Sequence, residues 1–385
     1  MKSAKTKVLD SPAQEILFSL GFNHDPQLIR GIRQLNEIHS GRARIDEVLG
    51  ALPDAPLPSP RPSGLLPRLP WDTFADQVKL LRQADVHYNF LLNTASKLTP
   101  EVVPRLREYL SRLWDVGVTR ITVGTPELCQ FAREQFPRFH ITISITYGVD
   151  SSEKLAKAET GSPDATYLQP VTVNRDFALL RTLVASARSE CRLYANVSCI
   201  SGCPVVRQHY ELFASQVHED VARANDLFFA GCSLVKLSNP VEWIQMPWLR
   251  PEDIRVYVAE GIQHFKLSDR LASTKALVAI AKSYMRGRSP ADLFPLMERD
   301  GAKYRLLDDW MPHGRQPLVV KNGRIPGDFI EHFRRGECVS RDPNCAVCAR
   351  VARDAVSVDQ GWAVWELPTM LTRVLPSALR ARRDA

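Results

Sequence analysis

Short β-rich runs alternate with amphipathic, helix-patterned stretches along most of this chain, and few folds accept that order. Parallel strands need long crossover connections, usually helices, so the alternation predicts a parallel α/β fold. Runs with strand character are ILFSLGF (16–22), VHYNFLLN (86–93), TRITVG (119–124), HITISIT (140–146), ATYLQP (165–170), RLYANVS (192–198), SLVKLS (233–238) and IQHFKL (262–267). Helical patterns follow most of them: DPQLIRGIRQLNEIH, TPEVVPRLREYLSRLWDVG, TPELCQFAREQF, NRDFALLRTLVASARS and RPEDIRVYVAEG. Pro251 and the acids after it suit a first helical turn, where a missing N–H costs nothing and negative charge is favoured. Eight strands, each leading into a helix or long loop, predict a closed TIM-type (β/α)8 barrel. An open doubly wound sheet is the alternative, but no G-x-G-x-x-G follows any strand.

The barrel is expected within residues 1–298, with strands and helices over about 15–290. Residues 51–72 carry seven prolines, which exclude helix and central strand and predict an extended arm over the barrel. From 299 to 385 strand signals become scarce, so this part reads as an appended segment packed on the C-terminal face of the barrel. The net charge of +7 is modest for 385 residues and its basic residues are scattered, so composition does not indicate nucleic-acid binding. MKSAKTKVLDSPAQE lacks the apolar stretch of a signal peptide, and no run of about 18 apolar residues occurs. A cytoplasmic protein without membrane insertion is expected.

Six of the eight cysteines fall into two sets. Cys199 and Cys203 stand in NVSCISGCPVVRQHY, followed by Cys232 in FFAGCSLVKLS; Cys338, Cys345 and Cys348 stand in GECVSRDPNCAVCAR. C-x3-C and C-x2-C spacings let neighbouring thiolates face one metal from a short turn. In a reducing compartment clustered cysteines more often bind metal or act in redox chemistry than form disulfides. Cys129 and Cys191, in apolar contexts, read as inert core residues.

Chemistry in a barrel of this kind sits at the C-terminal ends of the strands. Those ends hold Asn23, His24, Asn93, Thr125, Tyr147, Gln169, Asn196, Cys199, Cys203, Lys236, Asn239, Lys266, Asp269 and Arg270. Cys199 and Cys203 thus follow the sixth predicted strand and Cys232 precedes the seventh. Lys236, Lys266 and Arg270 suit a bound carboxylate or phosphate, and Asn93 and Tyr147 complete the expected substrate site.

Four stretches resemble the family of U32 (collagenase-like) peptidases: YANVSCISGCP, CSLVKL, WLRPEDIRVYVAEGIQHFKLSDR and TKALVAIAKSYMRGR. The likeness covers roughly residues 15–290. In outline it is nearest to an oxygen-independent hydroxylase branch that includes ubiquinone-pathway and RNA-hydroxylating proteins, in which four cysteines hold a [4Fe–4S] cluster. The resemblance implies that Cys199, Cys203 and Cys232 are three ligands. No further barrel cysteine follows, so the fourth would come from Cys345, Cys348 or Cys338, or from a non-cysteine such as His209. The tail resembles a C…C-x2-C-x2-C module whose last position here is Val351, one thiol short.

The expected function is therefore an iron–sulfur enzyme performing an oxygen-independent redox or hydroxylation step on a biosynthetic small molecule or an RNA base. A U32-type peptidase is the runner-up, although neither H-E-x-x-H nor G-x-S-x-G is present. A scaffold subunit stabilised by zinc, working with a protein partner or paralogous subunit, is the non-catalytic alternative. Radical-SAM chemistry is excluded, because Val206 stands where a third cysteine would be needed.

Overall fold

The computed structural model describes residues 15–58, 66–215, 228, 231–232, 235–236, 238–268, 272–297, 318–338 and 345–359. Eight parallel strands close into a barrel: β1 Ile16–Gly21, β2 Ala43–Gly50, β3 His87–Leu92, β4 Arg120–Val123, β5 His140–Ile143, β6 Ala165–Tyr167, β7 Glu190–Tyr194 and β8 His264–Leu267. β8 pairs back onto β1, Leu17 opposite His264, which removes both sheet edges. Helices return the chain between strands, so the expected TIM-type (β/α)8 barrel is the fold.

The strand count matches expectation only because two differences offset each other. ARIDEVLG forms β2, which the sequence reading left out. SLVKLS, read as a strand, is not one: Val235, Lys236 and Ser238 are helical, and residues 233, 234 and 237 lie outside the described set. The cysteine loop therefore follows β7, the seventh strand of the barrel.

The helix starts obey local chemistry. Asp25 caps helix Pro26–His39 by accepting from Gln27 N, and Thr125 caps helix Pro126–Gln135 by accepting from Leu128 N. Phe18, Ile45, Phe90, Ile121, Ile141 and Phe265 are fully enclosed between strands and helices. The barrel interior is polar instead. Glu47, wholly buried, accepts from Ser19 Oγ (2.8 Å), Asn89 Nδ2 (3.1 Å), Arg192 Nη1 (3.2 Å) and Arg120 Nη1 (3.0 Å). A register shift between Phe18 and Ser19 brings Ser19 opposite Glu47. Burial penalises the Glu47 charge, but the Arg192 and Arg120 guanidinium groups outweigh it and hold the carboxyl far below the usual range.

Residues 51–58 and 66–70 of the proline-rich stretch form neither helix nor strand, but Trp71 and Asp72, expected in the same arm, open helix Trp71–Gln83; residues 59–65 lie outside the described residues. In the tail, β9 Leu318–Val320 and β10 Val356–Val358 pair antiparallel, with helices Phe329–Arg334 and Ala346–Ala355 between them. Arg250, bonded to Asp253, also donates to Gly327 O, and Arg334 reaches Glu260 at 3.2 Å, just before β8. The tail thus packs on the segments between β6 and β8: helix Phe329–Arg334 meets helix Phe177–Ser186, and helix Ala346–Ala355 meets the short helix Glu242–Gln245. Its boundary near residue 299 falls outside the described residues.

Candidate functional site

Several residues expected at the mouth are tied into structure instead. Asn23 donates to Ala272 O and Thr274 Oγ1, joining the loop after β1 to the segment after β8. His24 is buried against Gln77 (2.9 Å) and Tyr88, and Asn196 Nδ2 spans to Ser268 O and Leu296 O. Asn239 donates to Glu242 in a turn. Asp269 and Arg270 lie outside the described residues.

What converges sits above β5 to β8. Lys266 projects its ammonium over the rings of Tyr194 (4.9 Å) and Tyr167 (5.6 Å). Those two rings pack with Ile145 and Val197, and Cys199 and Tyr210 lie against the same group. Lys266 and Cys199 therefore share one aromatic platform. Beside it stands the short turn Ile145–Tyr147, where the Tyr147 hydroxyl, half-buried, is pushed up by burial and by the nearby Glu127 charge. Asn93, buried at the end of β3, donates weakly to Ser144 Oγ at 3.5 Å, and its Oδ1 has no partner among the described residues.

Asn93 is held there by a close backbone approach. A Cβ on Gly124 would stand 1.9 Å from Thr94 O and 2.8 Å from the Asn93 carbonyl carbon. Gly124→Ala must push the β3 and β4 ends apart, and a loss of about 1–3 kcal/mol is expected in urea denaturation. The same change should displace Asn93.

The other cysteines of the first set lie close by. Cys203 feels the charges of Cys232 and Lys236, and burial pushes its thiol up. Lys236 is buried, donates to Ser198 O at 3.0 Å and stacks on Trp243 at 5.3 Å. It thereby ties the cysteine loop to the segment carrying Cys232. His209 stacks on Phe228 at 5.1 Å.

The tail cysteines gather elsewhere. Cys345 stands just before helix Ala346–Ala355 without capping it, and Cys348 lies buried in the first turn, its thiol hydrogen-bonded to Cys345 and within the influence of Cys338. Burial pushes the Cys348 thiol up to about 12. All three line one cavity, whose opposite wall includes Arg175 after β6 and Ser201 of the cysteine loop. Among the described residues no three His, Cys, Asp or Glu side chains stand in a finished metal-holding arrangement. Thiol donors suit a soft metal by type, but neither set is closed around a point.

Sequence reasoning missed one constellation altogether. Ser19 Oγ lies 2.8 Å from His264 Nε2, 2.8 Å from Glu47 Oε1 and 2.8 Å from Tyr167 Oη. Nucleophile, base and acid in mutual reach suggest hydrolysis on distance alone. Yet Ser19, Glu47 and His264 are all 0% exposed, so no peptide reaches them. Burial and Arg192 hold the His264 imidazole neutral, well below its ordinary range. The group is a packed polar core. Cys129, bonded to Gly161 O, and Cys191 are buried and pushed up to about 12, as inert thiols should be.

No helix among the described residues is long and apolar enough to cross a membrane. No family model matches the chain. It is 21% identical over 292 residues to a protein of Methanocaldococcus jannaschii named uncharacterized protease MJ1657, covering 75% of this chain and 82% of that one. That protease-named relative agrees with the resemblance to the U32 peptidases. The solved U32 peptidase Mk0906 is 18% identical, with a TM-score of 0.40 over 52% of this chain and 76% of its own. The YdjI aldolase of Escherichia coli K12 is 10% identical, with a TM-score of 0.33 over 57% of this chain and 80% of its own.

Proposed function

We propose that the chain is a U32-type enzyme that carries out an oxygen-independent redox or hydroxylation step at the mouth of the barrel, on a polar or anionic substrate. A biosynthetic small molecule and an RNA base are the two substrate classes. Cys199, Cys203 and Cys232 would hold a [4Fe–4S] cluster, which when bound supplies a Lewis-acid iron or a route for electrons. The observation that carries this reading is that Cys199 of the cysteine loop and Lys266 at the end of β8 lie against one platform of Tyr167 and Tyr194.

The remaining side chains have roles that follow from their surroundings. Lys266, held over two rings, offers an ammonium to a carboxylate or phosphate. Asn93 Oδ1 offers an acceptor to a substrate N–H or O–H. Tyr147 stays protonated at neutral pH and offers a donor. Lys236 fixes the cysteine loop by its bond to Ser198 O.

Lys266→Met keeps the aliphatic stem on the tyrosine rings and removes the charge. We expect at least about tenfold weaker substrate binding, the loss of one charge-assisted contact, with an unchanged iron content and melting temperature. Loss of iron or of fold together with binding would make Lys266 structural. Unchanged binding would put the substrate elsewhere. Peptide hydrolysis by iron-free protein would favour the peptidase reading.

A further inference from the structure

The cavity of about 380 Å³ between the tail and the barrel is lined by Arg175, Ser201, Gln245, Cys338, Cys345 and Cys348, among others. That volume admits a small molecule and excludes a folded protein. Among the described residues its three thiols do not converge on one point, as a metal would require. Two of them nevertheless touch, because the Cys348 thiol is hydrogen-bonded to Cys345. Contact between two thiols is what a dithiol needs.

The pair is unequal in access. Both are free thiols, but Cys345 is half-buried and Cys348 is only 2% exposed. Cys345 stands just before helix Ala346–Ala355 with an extended ψ of 116°, and Cys348 lies in the first turn. Residues three apart at a helix start are neighbours, so the C-x2-C spacing holds the two sulfurs together. A reagent in the cavity reaches Cys345 first, and only Cys345 reaches Cys348.

The barrel side of the cavity supplies Arg175. Its guanidinium donates to Ile244 O and to Trp248 O (3.3 Å), and packs over Phe333 (4.7 Å) and Trp248 (5.4 Å). Among the described residues no carboxylate forms an ion pair with it, and Asp253, whose charge reaches it, is taken up by Arg250. Burial disfavours the Cys348 thiolate, and the Arg175 charge opposes that penalty. A fixed cation without a counter-charge thus faces the thiol that must ionise second.

We propose that Cys345 and Cys348 form a thiol–disulfide exchange site for a small organic disulfide bound in this cavity, with Cys345 attacking and Cys348 resolving. Cys345, as thiolate, attacks one sulfur of the disulfide, forms a mixed disulfide and expels one thiolate. Cys348 then gives up its proton, attacks the Cys345 sulfur and expels the second. Two protein thiols lose two electrons and two protons, and the small disulfide becomes two thiols. The inference stands on the tail thiols and does not need the barrel site to hold metal.

The test treats the full reduced chain, purified without oxygen, with oxidised glutathione. Free thiols are then alkylated, disulfides are mapped by mass, and iron is counted in the same samples. A Cys345–Cys348 disulfide is expected ahead of any other pair, and reduced glutathione should reverse it. Cys348→Ala should trap glutathione on Cys345, with at least about tenfold more mixed disulfide than the wild type, because the resolving thiol is gone. Cys345→Ser should carry none on Cys348. The wild-type mapping needs no variant, so a Cys348→Ala chain that fails to fold leaves the test intact. Tail thiols that all stay reduced, or a disulfide from Cys338 to either partner, would overturn the inference. Loss of iron in Cys345→Ser would also overturn it, by making Cys345 a cluster ligand. Exchange at Cys345 and Cys348 in a chain without iron would remove the proposed function and leave this inference standing.

Discussion

Glu47→Ala is expected to destabilise the barrel by about 3–5 kcal/mol, because it removes the buried carboxylate that Arg192 and Arg120 share and leaves them only Glu190 and Asp46 as partners. Urea denaturation reads this as a lower midpoint at unchanged slope. The pH dependence has a definite sign. The Glu47 carboxyl is held below its unfolded value, so its contribution is complete above the ordinary carboxylate range and is lost as pH falls toward the native value. His264 is neutral in the native barrel, so protonation of the unfolded chain below about pH 6.5 also favours unfolding. Both groups make the wild type acid-labile, and Glu47→Gln should flatten the acid limb below about pH 5. An unchanged acid limb in that variant would show that the network carries no such linkage.

Cys203→Ser should remove the iron of the cluster proposed for the barrel mouth, and Cys199→Ser should do the same. Thiolate ligation is lost outright, and a serine hydroxyl is a poor ligand for soft iron. Cys129→Ser is the control: its sulfur is enclosed and bonded to Gly161 O, so it should keep full iron content. Iron surviving in both the Cys199 and Cys203 variants would remove those residues from the ligand set.

The parts of the fold that the sequence disclosed are those where one physical effect dominates. β1, β4 and β5 are runs rich in apolar and β-branched residues, and the helices after them are capped by the side chains of Asp25, Thr125 and Ser151. β2 was hidden because Arg44, Asp46 and Glu47 make ARIDEVLG look like a polar connection. Asp46 and Glu47 are buried and matched by Arg120 on β4 and Arg192 on β7, which local reading does not see, while Arg44 pairs with Asp46 on its own strand and with Asp85 before β3. SLVKLS misled in the opposite way. A short run in which three of six residues are apolar suits a strand or a helical turn equally, and Val235, Lys236 and Ser238 are helical.

The candidate site divided along similar lines. Cysteine spacing marked both thiol sets, since short-range chemistry is written in adjacent residues. Lys266 was visible at a strand end, whereas its aromatic platform was not, because Tyr167 and Tyr194 come from other strands. Arg175 carried no signal at all. Only the docking of helix Phe329–Arg334 gives it Phe333 as a neighbour and the tail thiols as an opposite wall.

The most direct test is the iron and acid-labile sulfide content of the full chain prepared without oxygen, together with its visible spectrum. The account predicts a brown protein with at least about four iron and four sulfide per chain, one cluster's worth. Loss of colour on reaction with a chelator and oxidant should accompany loss of the iron. A colourless protein that holds zinc alone, or no metal in either cysteine set, would contradict it.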